Sequence, residues 1–205
     1  MNAMDILQSI FRWIHVVAGI LWIGMLYFFN WVNGPFAATL DAETKKKVVP
    51  QLAPRALFWF RWGAMVTFLV GWLLIYWKFF VASGAGMSGE GGLMTSTYGQ
   101  WIMLGGTLGS IMWFNVWFII WPSQKKIISW IKAAQTPPEM AGIAGKAALA
   151  SKINVYLSLP MLFCMGAASH LPMFNLPLVI GAVAVGFAIA WHLFKVAPNV
   201  GKMNW

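Results

Sequence analysis

Residues 9–33 read SIFRWIHVVAGILWIGMLYFFNWVN, and Arg12 is the one formally charged side chain among them. At about 1.5 Å of rise per residue, a helix of this length crosses the roughly 30 Å hydrocarbon core of a bilayer. Four further apolar runs follow, at about 56–82, 99–122, 152–173 and 177–197. The chain of 205 residues is therefore expected to be all-α, a single membrane domain over 1–205 with five transmembrane helices. Composition agrees: 60% of residues are hydrophobic and 9% charged, against about 25% charged in a soluble domain.

The basic residues cluster between the runs. Lys45, Lys46, Lys47 and Arg55 precede the second, Lys125, Lys126, Lys132 and Lys146 precede the fourth, and Lys202 follows the fifth. The intervening segments 83–98 and 174–176 contain no Lys or Arg. The positive-inside rule then puts the N-terminus outside and the C-terminus in the cytoplasm. The net charge of +9 reads as a topology signal, so no nucleic-acid partner is expected. Asp5 and Arg12 lead into the first run without a small-residue cleavage site, so that run is expected to stay as a membrane helix.

Between the runs, Ser83–Gly99 is turn-forming and expected outside, and Pro137-Pro138 divides the long loop 123–151. Before that pair, Ile127, Ile128, Trp130 and Ile131 among lysines fit an interfacial helix or an extension of the third span equally well. Trp77, Trp101, Trp121 and Trp205 fall where interfacial anchors are expected. Gly105 and Gly109, and Ala182, Gly186 and Ala190, have the spacing that lets membrane helices meet closely.

An ionisable group inside a bilayer is costly and is a functional candidate by default. All three histidines fall within the runs. His15 and His170 lie at similar depths, about 9 and about 5 Å below the outer ends of their spans, whereas His192 lies about 22 Å deep. His15, Gly19 and Trp22 share a helix face, as do Gly166 and His170. A glycine one turn from an imidazole leaves room for a flat ligand. A b-type haem needs one or two imidazole ligands and no covalent attachment, so His15 and His170 are the expected iron ligands. His192 leaves a second haem open. The other reading of each histidine is a hydrogen bond to a carbonyl or hydroxyl of a neighbouring helix.

Toward the cytoplasm, Arg61, Asn115, Asn154 and Tyr156 could hold a propionate, a quinone headgroup or a small anion, or could simply tie helices together. Arg12, three residues before His15, could pair with a propionate. No carboxylate lies mid-span, which disfavours di-iron and calcium sites and carboxylate proton relays. The single cysteine, Cys164, excludes both a disulfide framework and a C-x-x-C-H haem attachment.

The segment Arg12 to Gly24, RWIHVVAGILWIG, resembles the first helix of the membrane domain of PuuD-type bacterial urate oxidases, the urate oxidase N-terminal family. Phe58 to Trp62, the Gly109 to Asn115 stretch with Pro122 to Lys126, and Asn154 to Pro160 leading to His170 are similar to that family in order and spacing. Together they cover about residues 9 to 175. The H-x6-W-x-G element is also similar to HemJ-type protoporphyrinogen oxidases and CopD-like proteins. The resemblance implies a multi-pass redox protein of the bacterial inner membrane, with His15 at the position shared with haem-binding relatives. In full-length members a cytochrome c domain follows, and the activity proposed for them is urate oxidation with electrons passed to that haem. This chain has no C-x-x-C-H and five spans where longer relatives carry more.

The expected function is electron transfer through haem b between a small-molecule donor, urate among the candidates, and a respiratory partner such as a cytochrome c. An enzymatic role as an oxidoreductase would be its catalytic form. The alternative from another class is a cofactor-free accessory or assembly subunit of a respiratory complex. Solute transport is disfavoured by the lack of membrane carboxylates and of an evident inverted repeat.

Overall fold

The computed structural model describes residues 3–202, which leaves Trp205 outside the described residues. Five helices are long and apolar enough to cross a membrane: Met4–Thr39, Ala42–Ala82, Thr97–Lys132, Met140–His170 and Leu176–Val200. They are referred to below as the first to fifth helices. No strand occurs among the described residues.

The helices outrun the apolar runs. Segment 34–55, expected as a loop, continues the first helix to Thr39, reverses at Leu40 and Asp41, and starts the second helix at Ala42. Segment 123–151 is likewise helical up to Lys132 and again from Met140. Hydropathy marks where a helix leaves the apolar layer, not where its hydrogen bonding ends. The alanine-rich start of the fourth helix, Ala141 to Ala150, favours helix without being apolar enough for a span. The Ile127 to Ile131 segment thus extends the third helix.

Capping residues set several of the starts. The Asp41 carboxylate accepts from the amides of Glu43 and Thr44, each at 2.9 Å, and from the Thr44 hydroxyl at 2.6 Å. The Thr44 hydroxyl and amide, with help from the Glu43 amide, hold that carboxyl below its usual range. Ser96 accepts from Gly99 at the head of the third helix, and Asn175 from Leu178 at the head of the fifth. These caps satisfy amides that have no partner within the helix. Three helices open to π hydrogen bonding within their length, over Phe28–Asn33, Trp77–Ala82 and Asn115–Ile120.

The first helix packs along the second, the third along the fourth, and the fifth on the fourth. Glycines permit the closest approaches, as lipid-embedded packing requires. A Cβ on Gly63 would lie 3.1 Å from the Trp22 backbone nitrogen, and one on Gly186 2.8 Å from Pro160 Cδ. Gly105 meets the fourth helix at Cys164 and Met165, whereas nothing lies within 4 Å of a Cβ on Gly109. The core between them is built on Trp22, Leu26, Phe60, Met112, Val116 and Val155. Trp101 is not an interfacial anchor. It is fully buried, its ring meets Phe163 and Phe174 edge-on, and its indole N–H donates to the Met173 carbonyl at 3.0 Å. The turn after the fourth helix, folding over this end of the third, covers a ring that composition alone assigns to the interface.

Polar side chains tie the third helix to the fourth. Asn115 Nδ2 donates to Asn154 Oδ1 at 2.8 Å, and Asn154 Nδ2 donates to the Met112 carbonyl at 3.0 Å. Asn154 is fully buried. Interhelical hydrogen bonds in membranes average about 0.6 kcal/mol and reach about 1.7. Asn154→Ala removes two and strands the Asn115 amide, so it should cost about 1–2 kcal/mol. Unfolding of the detergent-solubilised protein, followed by helicity, reads the change. A variant as stable as wild type would mean that this pair contributes nothing net.

Candidate functional site

His15 projects from the first helix against the second. The second helix accepts it because position 71 is glycine: a Cβ there would stand 2.8 Å from His15 Cε1 and 3.2 Å from Nδ1. One turn earlier, the Thr67 carbonyl accepts a hydrogen bond from His15 Nδ1–H at 2.9 Å. An acceptor that is a carbonyl requires the proton on Nδ1, so in the neutral ring Nε2 keeps its lone pair. This is how metal-ligating histidines are commonly held, the remote N–H given to a carbonyl and the other nitrogen left free.

The ring borders two cavities. The first, of about 420 Å³, lies among the first four helices and is almost wholly apolar. His15, Gly19 and Trp22 line it from the first helix, Gly71 from the second, and Gly109 from the third. A Cβ on Gly24 or Gly109 would meet nothing within 4 Å, so these glycines leave open space along the wall. The volume falls in the range of about 300–1,000 Å³ typical of small-molecule sites. Trp22 is buried, and its indole N–H has no acceptor among the described residues.

The second cavity, of about 310 Å³, lies toward the Ser83–Ser96 turn and is more polar than the first. Its lining includes Gln8, Arg12, Lys78, Tyr98 and Ser169, and it shares His15, Val16, Ile75 and Met165 with the first. The Lys78 ammonium sits 3.3 Å above the Tyr98 ring centroid. No Asp or Glu lines this cavity.

The other expected site residues lie elsewhere. His170 is exposed, donates from Nδ1–H to the Gly166 carbonyl of its own helix at 2.8 Å, and lines neither cavity. The fourth helix turns Met161, Met165 and Ser169 toward the cavities instead, and His170 is about 100° further round from Ser169. Nothing lies within 4 Å of a Cβ on Gly166. His192 is exposed on the fifth helix. Asn115 and Asn154 are bonded to each other. Tyr156 stacks on Phe194, with ring centroids 5.8 Å apart. The Arg61 guanidinium carbon lies 3.7 Å above the Trp121 ring centroid, and its Nε has no partner among the described residues. None of these five lines either cavity.

Thr67, Gly71, Lys78 and Met165 are site residues that sequence reasoning did not single out. Lys78 carries a legible signal, as a lysine next to a segment otherwise empty of basic residues. Gly71 carries none, because only the packing of two helices shows what it faces.

The residues suit a planar apolar ligand with one nitrogen donor better than a bare ion. No group of three or more His, Cys, Asp or Glu converges among the described residues, whereas an open glycine-lined wall beside a single free imidazole nitrogen is what a b-type haem needs.

A family model described as "Urate oxidase N-terminal" matches residues 92–204, slightly more than half of the chain. The match spans the third, fourth and fifth helices; the first helix, with His15, lies outside it. No curated protein and no solved structure matches the chain.

Proposed function

Because this chain belongs to the urate oxidase N-terminal family, we propose that it is a membrane redox protein that would hold haem b in the apolar cavity, with His15 as the residue that would bind its iron. It passes electrons between a small-molecule donor and a respiratory partner such as a cytochrome c, in the bacterial inner membrane. The family supports a redox-related role at the membrane. The observation that carries the haem reading is His15 itself: Nδ1–H is committed to Thr67, and the ring lines about 420 Å³ of apolar, glycine-walled space. Bound there, haem supplies one-electron redox chemistry. The chain's own residues hold the imidazole tautomer, exclude water from the apolar side and leave a polar entrance at Arg12 and Lys78. Urate, the substrate in the family's description, is the first donor to test.

A dithionite-reduced minus oxidised visible spectrum of the detergent-purified protein, expressed with ample haem, tests this reading. A b-type α band is expected. A featureless spectrum would overturn it and favour the cofactor-free subunit. From the distribution of basic residues we infer that the N-terminus lies outside and the Ala133–Glu139 connection in the cytoplasm. Reporter fusions at residues 87 and 135 should report opposite sides, and the reverse assignment would exclude this orientation.

A further inference from the structure

Of the 14 Lys and Arg residues, only Arg12 and Lys78 lie in the half of the bundle that carries the Ser83–Ser96 turn. Both line the same cavity. Neither is in an ion pair among the described residues, where the one salt bridge is Lys47–Glu43. Arg12 is exposed and Lys78 half-buried; two cations on one cavity wall that carries no carboxylate repel each other, and an anion seated between them relieves that repulsion. Gln8, Tyr98 and Ser169 add hydrogen-bonding groups to the same wall.

The position of this pair relative to His15 identifies the anion. His15, Val16, Ile75 and Met165 are common to the basic and the apolar cavity, so the two meet at the imidazole. The combined space therefore has a large apolar body, one nitrogen donor at its side and two positive charges at one end. Haem b has the complementary form, an apolar macrocycle whose iron takes the nitrogen and whose two propionates leave from one edge. We propose that Arg12 and Lys78 are the propionate-binding residues of the His15 site. The inference rests on the haem reading and adds to it the direction in which the macrocycle faces. Its acidic edge lies toward the Ser83–Ser96 turn, and its apolar edge toward Gly24 and Tyr27.

The test is a Soret-monitored titration of the full-length protein, freed of haem in detergent, with hemin and with hemin dimethyl ester, which lacks both carboxylates. Charge-assisted hydrogen bonds are the strong class, so hemin should bind the wild type about tenfold or more tighter than the diester. The double variant Arg12→Gln, Lys78→Gln should bind hemin only as well as the diester, with diester affinity unchanged. That second titration shows that the variant still folds. Arg12→Lys with Lys78→Arg, which keeps both charges, should retain most of the preference. If hemin and the diester bind the wild type alike, or if the double variant keeps the preference, the propionate assignment falls and the haem reading stands. If neither porphyrin binds the wild type, the haem reading itself falls.

Discussion

His15→Ala is expected to lower haem retained through purification by about tenfold or more, and the reduced-minus-oxidised α band with it, while helicity and elution in detergent stay those of the wild type. The size follows from how the ligand is held. Loss of an outer-shell partner of a metal-bound histidine typically costs 10–100-fold in metal affinity or activity, and this variant removes the ligand and its partner bond together. The fold should persist because His15 is only partly buried and contributes one hydrogen bond, to Thr67. His170→Ala serves as the contrast. That ring is exposed and bonded within its own helix, so its loss should leave the band in place. An undiminished band in His15→Ala would remove His15 from the iron, and a band lost only in His170→Ala would move the site to the outer face of the fourth helix.

Gly71→Ala should be nearly as damaging to haem binding without altering residue 15. The added methyl would lie 2.8 Å from His15 Cε1 and 3.2 Å from Nδ1, closer than a carbon can stay, so the imidazole must swing away from the second helix. The swing lengthens the 2.9 Å bond to the Thr67 carbonyl and turns Nε2 out of line. Stability should change little, because two effects of similar size oppose each other. Overpacking costs about 1–3 kcal/mol, less where a ring can rotate away, and replacing a mid-helix glycine by alanine returns about 1 kcal/mol. Retained haem should therefore fall about tenfold while the melting temperature moves by a few degrees, a separation that general misfolding cannot produce. Wild-type haem content in Gly71→Ala would mean that the close contact with His15 does not set the ligand's position.

The five spans, their order and the turn at Ser83 were legible in the sequence because apolar runs and glycine-rich turns report the solvent in which each segment lies. Helix ends were not, since the stretches around Lys45 and Ala147 are helical outside the apolar layer, where hydropathy is silent. Within the site, the face formed by His15, Gly19 and Trp22 follows from helical periodicity alone, and the structure puts those three on one cavity. The pairing of His15 with His170 rested on depth. Depth says nothing about rotation around a helix axis, and the fourth helix turns Met165 and Ser169 to the cavities and His170 away. Asn115 and Asn154 show a related limit: polar residues at matching depth find each other, and a sequence does not distinguish that outcome from a ligand site.

The group that orients His15 is a main-chain carbonyl, and that has a genetic consequence. Codon changes at position 67 replace the side chain but leave its C=O where the helix puts it, so the imidazole tautomer is insensitive to drift there. Vulnerability moves one turn along, to position 71, where the smallest enlargement displaces the ring. Among variants of this chain that still carry a functional His15, position 67 should accept any side chain that fits the buried space Thr67 fills, whereas position 71 should be held to the one residue without a β-carbon.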